Sequence, residues 1–218
     1  SLGVYGIMIG AWASNNKFSL MGGLRAASQI ISYELPMGLS IIALIMYTGT
    51  PSLKGMVELQ QAGMWNVIVQ PLGFLIFLIC AFAECNRTPF DLAEAENELI
   101  GGYHAEYSSM KLGFYLFAEY ISMFISSAVM ACLFFGGYDI PFVNETTLAA
   151  NIGMNWVAVL GALMLFAKIL FFIFLFMWVR WTIPRFRYDQ LMNLGWKALI
   201  PLALLNMIIT AAVILWLR

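Results

Sequence analysis

The sequence is short of charge. Eleven Lys and Arg and twelve Asp and Glu make up only 11% of its 218 residues, where soluble domains carry roughly 25%. A soluble fold of this size could not solvate its surface with so few. Histidine occurs once, at His104, and Cys80, Cys85 and Cys132 form no CxxC pair, so the usual zinc and redox spacings are missing. No basic segment followed by a small-residue cleavage site opens the chain, which argues against a signal peptide. An apolar run that starts at the second residue, with no initiator Met, leads us to expect further sequence before Ser1. There is no fixed-period repeat and no low-complexity tract. What fills the space is apolar: 62% hydrophobic residues and a mean hydropathy of +0.84, which also excludes disorder. The 14 Met residues read as adaptable packing. The sequon at Asn144-Glu145-Thr146 is discounted without a secretory context. A net charge of −1 offers nothing to nucleic acid. The chain reads as an all-α, polytopic transmembrane helix bundle forming one membrane domain over residues 1–218.

A spanning helix needs roughly 20 mostly apolar residues. About six stretches qualify: 2–14 (clipped), 29–48, 67–84, 112–135, 156–180 and 198–217. Between them lie turn-forming clusters such as TGTPS at 48–52 and GGYDIP at 136–141. The loops 15–28 and 85–111 and the 180–197 turn hold Lys17, Arg25, Arg87, Lys111, Arg180, Arg185, Arg187 and Lys197. The opposite side holds only Lys54 and Arg218. An excess of positive residues marks the cytoplasmic side, so loops 15–28, 85–111 and 181–197 are expected there.

Three charges fall inside the apolar stretches. Glu34 lies five residues into the second and Glu119 seven into the fourth, while Lys168 sits halfway along the fifth; Glu84 closes the third. A charge at a helix centre costs about 2.5–3.5 kcal/mol. Such residues can simply pair and hold helices together, but they more often mark an ion or substrate path. The acids are expected in the cytoplasmic half and Lys168 deeper, as a polar funnel ending near mid-membrane.

Residues 84–106 read ECNRTPFDLAEAENELIGGYHAE and hold six of the twelve acids: Glu84, Asp91, Glu94, Glu96, Glu98 and Glu106. Thr88 as N-cap, Pro89 at the first helical position and Asp91 at the third predict a helix start. Gly101-Gly102 predicts its end. Asp91, Glu94 and Glu98 would share one face and Glu96 would point elsewhere. A solvated acidic face is the ordinary account. Phe90, Leu92, Leu99 and Ile100 instead make the segment amphipathic enough to pack as an ordered helix at the mouth of the bundle. The cationic counterpart is WVRWTIPRFRYDQLMNLGWK at 178–197, where Arg180, Arg185 and Arg187 stand among aromatic rings near Pro184 and Asp189. It reads as a positive, aromatic membrane border. Its Arg forks could pair with the acidic loop or with a partner protein.

Three segments carry a family resemblance: GLRAASQIISYELP, ECNRTPFDLAEAENELIGGYHAEYSSMKLGFYLFAEY and PRFRYDQLMNLGWK. They closely resemble motifs of the H subunit of bacterial proton-pumping NADH:quinone oxidoreductase, respiratory complex I, whose mitochondrial counterpart is subunit 1. The resemblance covers essentially the whole chain. It implies a subunit of the bacterial inner membrane that joins the membrane arm to the peripheral redox arm and borders the quinone cavity. It implies that the family's first span, amphipathic helix and next span would precede this sequence. Glu34, Glu84, Glu94, Glu98 and Glu119 look like members of the family's glutamate channel, with Asp91, Glu96 and Glu106 at further acidic positions. Arg25, Arg87, Arg180, Arg185 and Asp189 match positions at the cavity or arm junction, and Phe117 a flank of the quinone tunnel. Lys168 matches a family Lys linked to the proton relay. No cofactor is expected on this chain alone. Quinone is the implied substrate, with flavin and iron–sulfur clusters in partner subunits. The implied partners are the redox subunits, the antiporter-like membrane subunits and the lipid bilayer. Two alternatives stay open: the homologous membrane subunit of a hydrogenase or formate-hydrogenlyase complex, and a free-standing proton-coupled transporter.

Overall fold

A computed structural model describes residues 2–92, 99–140 and 154–217. The described residues form a helical bundle: α1 (Leu2–Ala13), α2 (Lys17–Thr48), α3 (Leu53–Ala62), the single turn α4 (Asn66–Val69), α5 (Pro71–Glu84), α6 (Ser109–Phe134), α7 (Met154–Thr182), α8 (Tyr188–Asn193) and α9 (Ile200–Leu217). Five of the six expected apolar stretches lie on a single helical run, while the third, 67–84, is split at Gln70 into α4 and α5. Four helical stretches are long and apolar enough to cross a membrane: Lys17–Thr48, Ser109–Phe134, Asn155–Thr182 and Tyr188–Trp216. Leu2–Ala13 and Pro71–Glu84 are apolar but shorter. At 1.5 Å per residue the 14 residues of α5 cover roughly 21 Å, less than a hydrocarbon core of about 30 Å.

Three expected boundaries are corrected. Loop 15–28 is mostly helix, because α2 begins at Lys17, where Asn16 Oδ1 accepts the Phe18 N–H at 3.0 Å. Within this helix Gly22 and Gly23 form a packing seam. A Cβ at Gly22 would meet the Tyr103 nitrogen at 2.8 Å, and one at Gly23 would collide with the Ala11 methyl. Close approach of the neighbouring backbone outweighs the weak helix propensity of glycine. Glu34 therefore lies roughly 25 Å along α2, not near its start. Loop 181–197 shrinks to residues 183–187, since the chain is helical from Tyr188 onward, with a π turn over Leu194–Leu199 just before Pro201. Proline lacks an N–H, so a change of hydrogen-bond register falls naturally at this point. Finally, Thr88 and Pro89 do not start a helix. Residues 85–92 form turns, with Phe90 N–H on the Arg87 carbonyl at 2.8 Å. The rest of the acidic-loop helix falls on residues 93–98, outside the described ones. Gly101 and Gly102 adopt the left-handed backbone expected of a helix stop, with φ of +100° and +66°.

The core sits between α2, α5, α6, α7 and α9. Tyr33, Leu44, Ile76, Met130, Phe134, Phe172 and Phe176 are almost fully buried there. Phe74, Phe134, Phe135 and Phe172 pack edge to face or tilted, with centroids 5.1–6.4 Å apart. Such pairs add about 0.5–1.5 kcal/mol each beyond area burial. This aromatic layer locks the start of α5 and the end of α6 against α7, at the opposite ends of those helices from Glu84 and Glu119.

Candidate functional site: an acid-lined cavity under the 85–92 loop

The site begins with a neutral residue. Gln29 on α2 is fully buried, and its amide nitrogen donates to the Ala83 carbonyl at 2.8 Å, the Phe90 carbonyl at 2.9 Å and Asn86 Oδ1 at 3.3 Å. One side chain thus ties the end of α5 and the following loop to α2. The ring of Phe90 then lies 5.5 Å from Tyr33 and 5.7 Å from Phe186. Tyr33 donates its hydroxyl to the Leu191 carbonyl at 2.9 Å.

With the loop fixed, Arg87 points into the bundle, 7% exposed. Its Nε lies 3.2 Å from Glu119 Oε1 on α6, and its guanidinium covers the Tyr120 ring at 4.5 Å. Arg87 Nη2 is buried with no hydrogen-bond acceptor among the described residues. On the other side of the loop Asp91 Oδ2 accepts from Arg185 Nη2 at 2.8 Å, and the Pro89 carbonyl accepts the Phe186 N–H at 3.2 Å. The basic turn is therefore stitched to the acidic loop. It is stitched to α2 as well: Tyr188 and Ser28 hydroxyls meet at 2.9 Å, Arg25 lies over the Tyr188 ring at 5.9 Å, and Trp196 Nε1 donates to Ser32 Oγ at 3.1 Å.

Below the loop is a cavity of about 310 Å³ bounded by α1, α2, α5, α6 and the Gly102–His104 turn. Glu84 and Glu119 reach it from two different helices, with Asn86, Tyr103, Tyr115 and Ser122 also on its wall. Glu34 is a like-charged neighbour of Glu84. At about 30 Å³ per water the space suits on the order of ten waters. Two carboxylates, one half-buried and one largely buried, an amide, and phenol and serine hydroxyls around such a volume supply both donors and acceptors at short steps.

The structure brings Glu34, Glu84, Arg87 and Glu119 into one neighbourhood and joins Asp91, Arg185 and Arg25 to its outer rim. Others fall elsewhere. Glu106 is exposed and accepts from Asn16 at 2.7 Å, beside an open groove that also holds Lys111. Phe117 is 62% exposed, on the side of α6 away from the cavity. Arg180 is exposed but lines a narrow cleft with Arg87 and Tyr120. Asp189 is exposed in the first turn of α8, where a negative charge suits the helix dipole. Lys168 faces the 135–139 turn. Glu94, Glu96 and Glu98 lie outside the described residues. Sequence reasoning missed Gln29, Asn86, Tyr103 and Tyr115. Gln29 had a signal, a polar amide in the run AASQIISYE five residues from Glu34. The tyrosines had none, since nothing local distinguishes them from packing aromatics. Among the described residues no three His, Cys, Asp or Glu side chains converge for a metal.

Comparison with known proteins gives a consistent result. The family model described as NADH dehydrogenase matches residues 1–211. The chain is 71% identical over 216 residues to the NADH-quinone oxidoreductase H subunit of Flavobacterium johnsoniae, covering 99% of this chain and 61% of that protein. It is 68% identical to the H 1 subunit of the same enzyme in Cytophaga hutchinsonii, covering 99% and 62%. It is 50% identical to NADH-quinone oxidoreductase subunit 8 of Rhodothermus marinus, covering 97% and 64%. The chain thus spans about three-fifths of the length of the curated relatives it matches.

Proposed function

The chain belongs to the NADH dehydrogenase family, and from that premise we propose that it is the quinone-site membrane subunit of an NADH:quinone oxidoreductase. In this reading it joins the peripheral and membrane arms, in a bacterial inner membrane, with the 85–108 and 183–187 segments on the cytoplasmic side. Flavin and iron–sulfur clusters belong to partner subunits, and quinone is the substrate met near this chain. Quinone reduction changes the charge beside the cavity, and its acids pass that change into the membrane arm as protons or as a shift in charge and hydration. The observation that carries the proposal is the cavity into which Glu84 and Glu119 project from two helices, with Glu34 outside its wall as a like-charged neighbour of Glu84. In this reading a proton taken up at one acid changes the affinity of the next. Arg87 holds Glu119 as a carboxylate partner, and the Asp91–Arg185 pair ties the roof of the cavity to the basic turn. A redox event at the junction can therefore act on Glu119 through the 85–92 loop, which carries both Arg87 and Asp91. Arg25, Arg180 and Asp189 are assigned to the arm junction, and Glu94, Glu96 and Glu98 to the same acidic path.

The test is Glu84→Gln in the full-length protein within its membrane complex. Glu84 is preferred because the amide fits the same volume. The expected result is fewer protons moved per electron, with the redox subunits still attached. Quinone reductase activity and proton pumping both at the wild-type level would remove Glu84 from the relay.

A further inference from the structure

Lys168 stands midway along α7, the most apolar of the long helices, and its surroundings differ from those of the acids. Its ammonium donates to the carbonyls of Phe135 at 2.7 Å, Gly137 at 2.9 Å and Asp139 at 2.7 Å. Three bonds use every N–H of an ammonium. The indole of Trp65 lies 4.9 Å from Nζ and donates its own N–H to Asp139 Oδ2 at 3.1 Å. The titratable side chains near the ammonium are those of Asp139 and Cys132. The turn is shaped for this role. Gly136 and Gly137 have φ of +69° and +53°, which curls the backbone, and a Cβ on Gly137 would meet Val57 at 2.9 Å. The preceding carbonyls are taken as well, Cys132 and Leu133 by Gln60 and Leu133 also by Asn66. The end of α6 thus lies in apolar surroundings with carbonyls that water would otherwise have to satisfy.

We propose that Lys168 is a positioning residue: a permanently protonated peg that fills the 135–139 carbonyl ring, closes the end of α6 against α7, and does not carry protons. The chemistry of the ring gives the reason. A neutral amine has only two N–H groups and would aim its lone pair at the third carbonyl. Releasing a proton therefore breaks the ring, while keeping it satisfies all three acceptors. By holding the end of α6, Lys168 sets where the helix that carries Glu119 can sit.

The proposal is tested in the full-length protein in its assembled complex with Lys168→Met and Lys168→Arg. Met leaves three carbonyls without a donor. The complex should then melt at least 5 °C lower, or assemble at several-fold lower yield, while the fraction that assembles pumps the wild-type number of protons per electron. Arg stays charged at every working pH and cannot hand a proton on. Its assembled complex should keep the wild-type pumping ratio and pH profile. A Met variant with unchanged melting, or either variant assembling with its pumping ratio halved, overturns the proposal. If neither variant assembles, Gly137→Ala reads the ring from the turn side, since its φ of +53° and a Cβ 2.9 Å from Val57 force the Gly137 carbonyl out of place. Lower melting with an unchanged pumping ratio supports the peg, and unchanged melting overturns it. The melting measurements do not depend on the relay: an inert Glu84→Gln would sink the relay and leave the peg standing.

Discussion

Removing one member of the Arg87–Glu119 pair should damage the protein in two separable ways. The pair is 3.2 Å apart, with both side chains close to fully buried. With an effective dielectric of about 20, two unit charges at that distance attract by about 5 kcal/mol before desolvation is counted. Desolvation offsets much of this when the pair forms, but the offset is not recovered when one partner is deleted. Breaking a buried pair then costs about 3–5 kcal/mol. The contact of Arg87 with the Tyr120 ring at 4.5 Å persists when Glu119 is replaced, so the guanidinium is not left wholly uncompensated and the cost falls toward the lower end of that range. Glu119→Gln should therefore destabilise the complex by about 2–4 kcal/mol on its own account, apart from any lost proton transfer. The double variant Arg87→Gln with Glu119→Gln carries no stranded charge and should recover at least about 1 kcal/mol of the summed single losses. The assay is thermal and detergent stability of the assembled complex for the four members of the cycle, with protons pumped per electron measured in parallel. Stability should recover in the double variant while pumping stays low. Losses that add within about 0.5 kcal/mol would mean that the two groups do not interact, and the pairing of Arg87 with Glu119 would be refuted.

Three further outcomes follow from the same contacts. Gln29→Met removes the donor to two buried backbone carbonyls at nearly constant volume, and each orphaned carbonyl costs about 1–3 kcal/mol. The 85–92 loop should become sensitive to limited proteolysis, and wild-type resistance would contradict the anchoring role. Gly22→Ala places a methyl against the backbone of residues 102 and 103, which has no flexible end to move aside, and overpacking of this kind costs about 1–3 kcal/mol. Gly38→Ala on the same helix meets nothing within 4 Å and should be neutral or stabilising by up to about 1 kcal/mol; equal melting shifts for the two would refute the seam. Arg180→Ala should lower quinone-dependent turnover while electron transfer to an artificial acceptor persists, and loss of both would point to failed assembly instead.

The charges of the site were legible because charge in an apolar helix is expensive and so stands out. Glu34, Glu84 and Glu119 declared themselves in this way, and the idea that the arginines of the basic turn could pair with the acidic loop matches the Arg185–Asp91 contact. Three things were hidden, and the reasons differ. The true start of α2 was hidden because two glycines weaken helix propensity over 15–28, and the close crossing they serve is revealed only by the neighbouring backbone. Helix α3 was hidden because its mixed composition reads as a loop. Its buried side, Met56, Val57 and Gln60, is chosen by the end of α6. The partners of Lys168 were hidden because they are carbonyls, which every residue has.

The neutral amides make the wider point. Gln29, Gln60, Asn66 and Gln70 are each at most 5% exposed, and each donates to backbone carbonyls of another helix or loop. An amide is much cheaper to bury than a charge, so its presence in the sequence raises no alarm. Yet it supplies both donor and acceptor at the interrupted ends of helices, where apolar surroundings leave backbone groups without water. The same economy explains why an acid remains available. Amides and Lys168 satisfy much of the backbone at the helix ends, and the end of α5 is tied to α2 by Gln29 while Glu84 faces the cavity. A carboxylate that also held a helix end would have to break that tie each time it took up a proton. In the proposed relay Glu119, through Arg87, carries both duties, which is why its substitution should separate from Glu84→Gln by a loss of stability that Glu84→Gln does not share.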